Sequence, residues 1–169
     1  MLFACELLHK DRITPELAAY ATLAFIFNRP AVRPAGSPDR PRLETYRDFG
    51  EQVKATKRKI LSFLIDLKNQ GKQIVGYGAP GKGNTLLNYC GIRSDILDYT
   101  VDRNPYKQGK YTPGTHIPIV APGRISETRP DYILILPRNL KDEICSQMAY
   151  VREWGCQFIA PIPEPKILP

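Results

Sequence analysis

Apolar residues at Leu43, Tyr46, Phe49, Val53, Ile60, Phe63, Leu64 and Leu67 recur at steps of three, four and seven. That spacing is the stripe of an amphipathic helix. Gly71 stops it as a left-handed cap, and Gly50 weakens its beginning. The charges between, Lys54, Lys57, Arg58 and Lys59, read as its solvated face. Upstream, TPELAAYATLAFIFN (14–28) predicts a shorter and more apolar helix. Thr14 caps it, Pro15 suits its first turn and Glu16 favours the positive end of its dipole. Between the two lies RPAVRPAGSPDRPR (29–42), whose prolines at 30, 34, 38 and 41 remove backbone donors and predict an extended linker. The chain thus divides into a helical arm (1–28), a linker (29–42) and a domain (43–169).

After Gly71 the rhythm becomes strand, loop, helix. Gln73–Tyr77, Leu97–Val101, Ile117–Val120, Tyr132–Leu136 and Gln157–Ala160 read as strands. The run YILIL (132–136) is continuously apolar, as a central parallel strand covered on both faces must be. Helices are expected over Asn84–Cys90, closed by Gly91, briefly over Arg124–Thr128, and over Asn139–Trp154 with Asn139 as its cap. This alternation predicts an α/β fold, a Rossmann-like doubly wound and mostly parallel sheet of order 3-2-1-4-5, preceded by the long amphipathic helix.

Composition narrows the function classes. A chain of 169 residues is one domain with an appended arm, and a domain of this size buries about 70% of its unfolded surface without staples. The net charge of +7 is spread rather than blocked. It suits an anionic small molecule and argues against nucleic acid, which calls for a denser basic stripe with aromatics between. Cys5, Cys90, Cys145 and Cys156 lie far apart beside two histidines, so no zinc site of ordinary spacing is expected and buried free thiols are. No apolar run reaches the ~20 residues of a membrane span. MLFACELLHKDR has no basic leader and apolar core, so a cytoplasmic protein is expected.

The chemistry concentrates in GYGAPGKGN (76–84), which satisfies two phosphate-binding patterns. As a dinucleotide loop, Gly76 allows the tight turn, Gly78 lets backbone approach a phosphate through Ala79 and Pro80, and Gly81 allows helix to pack on strand. Exposed amides from Ala79 to Gly83 at the helix start would meet the anion. Asp102, 21 residues after Gly81, ends the second strand, where it can accept from ribose hydroxyls. The nucleoside-triphosphatase reading fares worse: Gly83 stands where a hydroxyl should hold magnesium, and YILIL ends in Pro137 rather than an acid. Lys82 can pair with an anion beside the loop, or be an exposed loop lysine. In VDRNPYKQGKYTPGTHIPIV (101–120), Arg103, Lys107 and Lys110 offer charge and Asn104 starts a turn. His116 is a substrate contact or a structural histidine.

GYGAPGKGNTLLNYCGI (76–92) followed by YTVDRNPYKQGKYTPGTHIPI (99–119) resembles the C-terminal domain of the sugar C-methyltransferases, over about Leu43 to Ile162. Those enzymes methylate nucleotide-linked deoxysugars with S-adenosylmethionine. The resemblance implies a Rossmann-like domain that faces a methyl-donor domain across the nucleotide-sugar. It also implies that Gly78, Lys82, Gly83, Asn84 and the Asp102–Lys107 segment shape the sugar-nucleotide side. The family's zinc cysteines and a second glycine loop for the donor have no counterpart in residues 1–42. The expected partners are therefore the nucleotide-sugar and a separate donor-binding chain or a second copy. Two other readings stay open: an NAD(P)-binding oxidoreductase module, and a non-catalytic docking subunit using the 14–28 helix.

Overall fold

The computed structural model describes the backbone of residues 43–168 and side chains from residue 50 onward. The helix expected over 14–28 and the linker over 29–42 lie outside the described residues. From residue 54 onward the described residues belong to one compact unit, which holds the sheet and the site.

Helix α1 runs from Leu43 to Asn69 as its stripe predicts. Ile60, Leu64 and Leu67 are buried, and Gly71 closes the helix at φ 75°. Its N–H donates to the Lys68 carbonyl, and that of Lys72 to Leu67. One basic residue departs from the solvated face. Lys57 reaches the Tyr89 carbonyl at 2.8 Å and stands over the Tyr89 ring, where its charge meets the negative end of a neighbouring helix.

Six strands form one sheet in the order β3-β2-β1-β4-β5-β6. They are β1 (Ile74–Tyr77), β2 (Thr100–Val101), β3 (Ile119–Val120), β4 (Tyr132–Ile135), β5 (Gln157–Ala160) and β6 (Lys166–Leu168). The first five pair in parallel; β6 runs antiparallel to β5. The expected order 3-2-1-4-5 holds, with one edge strand added. β6 sits among Pro161, Pro163, Pro165 and Pro169, and prolines are tolerated beside an edge strand because it need pair on one side only.

Strand alternation sorts the core. Val75, Tyr77, Val101, Ile133, Ile135 and Phe158 gather on one face with Ile125, Ile144, Met148 and Val151. Ile74, Leu134 and Ile159 therefore point to the other, where Leu86 and Leu87 of helix α2 (Gly81–Cys90) are also buried.

Two helices differ from expectation. Helix α2 begins at Gly81, a turn before Asn84, with Pro80 extended ahead of it at φ −77°, ψ 155°. The long helix expected over 139–154 is broken into a 3-10 turn (Arg138–Leu140), helix α4 (Lys141–Gln147) and a second 3-10 stretch (Ala149–Trp154); α3 is the brief Arg124–Thr128. Asn139 makes no cap. The break at Met148 lets fully buried Val151 join the core while the Trp154 indole N–H reaches the Pro130 carbonyl at 3.3 Å.

Candidate functional site

The strand order reverses direction between β1 and β4, because β1 connects outward to β2 and the chain later returns to the other side of β1. A crevice at the carboxyl ends of such strands is where open α/β sheets take ligands. Here a cleft of about 240 Å³ lies there. Its floor and walls come from Tyr77, Gly78, Ala79 and Pro80 after β1, Asp102, Arg103 and Lys107 after β2, and Pro137, Leu140, Glu143, Ile144 and Gln147 after β4.

The glycine loop is shaped by contact distances. A Cβ on Gly76 would sit 2.6 Å from Thr100 Oγ1, so only glycine lets β1 run this close to β2. Gly78 has φ 82° and abuts Pro137. The glycine that admits helix to strand is Gly83, not Gly81 as the fingerprint predicts. A Cβ there would meet Leu136 Cβ at 2.8 Å, whereas one on Gly81 meets nothing within 4 Å. Starting the helix at Gly81 shifts the close approach two residues along.

The amides of this loop divide into two sets. Gly78 N–H donates to the Val101 carbonyl at 2.6 Å, and Thr100 Oγ1 donates to the Gly78 carbonyl at 2.9 Å. Ala79 N–H, expected to meet an anion, already donates to Asp102 Oδ2 at 2.8 Å. Pro80 has no N–H. The first helical bond runs from Asn84 N–H to the Pro80 carbonyl, so the amides of Gly81 and Gly83 have no intrahelical acceptor. Pro80, at the N-cap, makes no side-chain capping bond. Beside it, Asn84 Oδ1 is buried without a hydrogen-bond partner, a state that costs about 1–3 kcal/mol until a donor arrives.

Asp102 is the hub of the second segment. Its Oδ1 accepts from Asn104 N–H at 2.9 Å, and its Oδ2 from Ala79 N–H and, at 3.0 Å, from the Lys107 ammonium. Lys107 also donates to the Ala79 carbonyl at 3.0 Å, so carboxylate and ammonium together clasp one residue of the loop. Burial pushes the Asp102 carboxyl up, but the two amides and the ammonium outweigh it and hold the group below its usual range. The side chain that sequence spacing aims at a ribose is thus turned onto its own chain. Asn104 makes its turn through Oδ1, which accepts from Tyr106 N–H.

Across the cleft, Arg103 Nη1 donates to Gln147 Oε1 at 3.0 Å, and Gln147 Nε2 donates to Glu143 Oε1 at 2.7 Å. This chain ties the loop after β2 to helix α4 over the carboxyl ends of the strands. Tyr77 lies nearly buried beneath it; burial pushes its phenol up, partly offset by Arg103.

The structure therefore brings Gly78, Ala79, Pro80, Asp102, Arg103 and Lys107 together around one cavity. Gly76, Gly81, Lys82, Gly83, Asn84 and Asn104 support the adjoining loops without lining it, with Lys82 exposed on α2. His116 also lies outside the lining: it is exposed at φ 56°, its ring 6.2 Å from that of Tyr111. Sequence reading missed Tyr77 and the whole α4 wall. Glu143 and Gln147 stand four residues apart on the helix after β4, and the switch-point rule places that helix beside β1.

Comparison with known proteins agrees with the resemblance drawn from the loop motifs. The family model for the C-methyltransferase C-terminal domain matches residues 39–163. The C-methyltransferase NovU of Streptomyces niveus is 37% identical over 123 residues, which is 73% of this chain and 29% of that protein. The chain thus spans less than a third of this relative's length. Motifs, strand order and family match agree, and the chain belongs to the C-methyltransferase C-terminal domain family.

Proposed function

We propose that this chain forms the nucleotide-sugar side of a sugar C-methyltransferase, taking a nucleotide-linked deoxysugar in the cleft at the β1/β4 switch point. The observation that carries the reading is the composition of that cleft. Arg103 and Lys107 stand at one rim with Asp102 and Glu143; Lys107 is already paired with Asp102, which leaves the Arg103 guanidinium as the cation for a diphosphate. Tyr77, Pro137, Leu140 and Ile144 make an apolar wall for a ring. A volume of about 240 Å³ falls below the ~300–1,000 Å³ of complete ligand sites, so it holds one part of such a ligand while the rest extends outward. The helix-start amides of Gly81 and Gly83 and the orphaned Asn84 Oδ1 lie next to it as further polar partners.

The methyl donor of the family is S-adenosylmethionine, and the residues at the end of β2 do not fit it. A carboxylate there would have to accept from the ribose diol, and Asp102 is filled by donors of its own chain. We place the donor on another domain, either a separate chain or a segment beyond this sequence; a second copy of this chain would bring the same filled carboxylate. Methyl transfer needs sulfur, methyl and acceptor carbon held nearly in line, which half a cleft does not impose. Two features bear on setting: no helix among the described residues is long and apolar enough to cross a membrane, and no cluster of metal-ligating side chains occurs among them. A cytoplasmic setting remains part of the proposal.

Isothermal titration of the full chain with dTDP tests it. Saturable binding in the micromolar to millimolar range that weakens in Arg103→Ala is expected. No heat at millimolar dTDP would overturn the reading.

A further inference from the structure

Strand β6 is an exposed edge, Tyr106 and Tyr111 are exposed, and Asp102 and Lys107 clasp the glycine loop. Nothing indicates what would cover the first two. The clasp carries an inference because its partners, distances and charge are all defined.

We propose that Asp102 is a specificity residue: with Lys107 it occupies the anion position at the start of the glycine loop, and so excludes dinucleotides from this Rossmann-like domain. In a dinucleotide loop the second glycine lets the backbone approach the diphosphate, which sits at the start of the following helix, and the next amide is the first donor on that path. Here that amide is Ala79 N–H, and Asp102 Oδ2 stands 2.8 Å from it. An incoming phosphate oxygen would have to displace a carboxylate and then lie beside it, a like-charge contact in a half-buried site. Displacement is opposed by every bond of the hub. Asn104 N–H holds the other carboxylate oxygen, and Lys107 ties the carboxylate to the Ala79 carbonyl. The Gln108 side chain donates to the Asp102 carbonyl at 2.9 Å and fixes the backbone behind it.

The same carboxylate is withdrawn from the ribose, so the first loop amide and the ribose acceptor are lost together. What stays open is the cleft beyond, where Arg103 meets Gln147. Phosphates of a nucleotide-sugar are therefore gripped by the Arg103 side of the cleft rather than by the first loop amide. This rests on the nucleotide-sugar reading for what the cleft accepts, but not for what the loop refuses.

ADP-ribose is the probe, titrated by calorimetry into the full chain and into Asp102→Asn, with dTDP in parallel. Asp102→Asn keeps the size of the side chain and removes its charge. The wild type is expected to show no ADP-ribose binding at millimolar concentration, and Asp102→Asn to gain about tenfold or more. ADP-ribose binding by the wild type as tight as its dTDP binding, or no gain in a cooperatively folded Asp102→Asn, would overturn the inference. If that variant fails to unfold cooperatively, Asp102→Ser, which leaves Ala79 N–H open, carries the same reading. The gain is measured whether or not dTDP binds, so loss of dTDP binding alone counts against the nucleotide-sugar reading and not against this one.

Discussion

Gly83 and Gly81 are two residues apart in one helical turn, and the structure expects opposite outcomes from replacing them with alanine. In Gly83→Ala the new methyl would stand 2.8 Å from Leu136 Cβ and 3.1 Å and 3.2 Å from the Pro80 ring. Neither neighbour is the free end of a flexible chain. Leu136 is 5% exposed at the end of β4, and Pro80 is held in the loop. Helix and strand must separate by several tenths of an ångström, and overpacking of this kind costs about 1–3 kcal/mol. Alanine returns up to ~1 kcal/mol of helix propensity, which leaves a net loss of up to about 2 kcal/mol. Gly81→Ala meets nothing within 4 Å and has no positive φ, so it keeps the propensity gain and is neutral to ~1 kcal/mol stabilising.

Urea unfolding followed by the fluorescence of Trp154 reads this directly, since the chain's single tryptophan lies in the unit that holds the sheet. With a denaturant slope of about 2 kcal/mol/M, the midpoint of Gly83→Ala should fall by up to ~1 M. That of Gly81→Ala should hold or rise. A Gly81→Ala loss equal to or greater than that of Gly83→Ala would refute the assignment of the close approach to Gly83.

Two further outcomes follow from charge and burial. Asp102 and Asp131 are both held below the usual carboxylate range, Asp102 against its burial by Asn104, Ala79 and Lys107, and Asp131 chiefly by Gln73 N–H. A depressed folded pKa adds stability that is present above the unfolded value of about 4 and is lost as pH falls through the folded one. Urea midpoints at pH 7, 5, 4 and 3 should therefore fall toward acid less steeply in Asp102→Asn than in the wild type; parallel profiles would contradict this. Burial pushes the thiols of Cys90 and Cys156 up to about 11 and about 12, while Cys145 is only half-buried. In the native chain at pH 8, iodoacetamide should alkylate Cys145 ahead of both, as read by peptide mass mapping; equal rates would show that burial does not protect them.

The parallel sheet and its order were legible in the sequence because each strand is a short apolar run bounded by turn residues, and the connections leave few arrangements. The long helix was legible down to its Gly71 cap, since period and left-handed glycine are local signals. The glycine loop announced itself for the same reason. Tertiary structure alone decided how that loop is used. The choice of Gly83 over Gly81 depends on how closely α2 lies on Leu136, a distance between elements that no spacing rule encodes. Asp102 sits at the expected position, yet its partners are a residue 23 positions earlier and a lysine five later, brought together only when β2 lies beside β1. The α4 wall, with Glu143 and Gln147, faces the cleft because the chain crosses to the far side of β1. Local sequence sets backbone conformation through short-range sterics, whereas which side chains share a cavity is set by packing between elements distant along the chain.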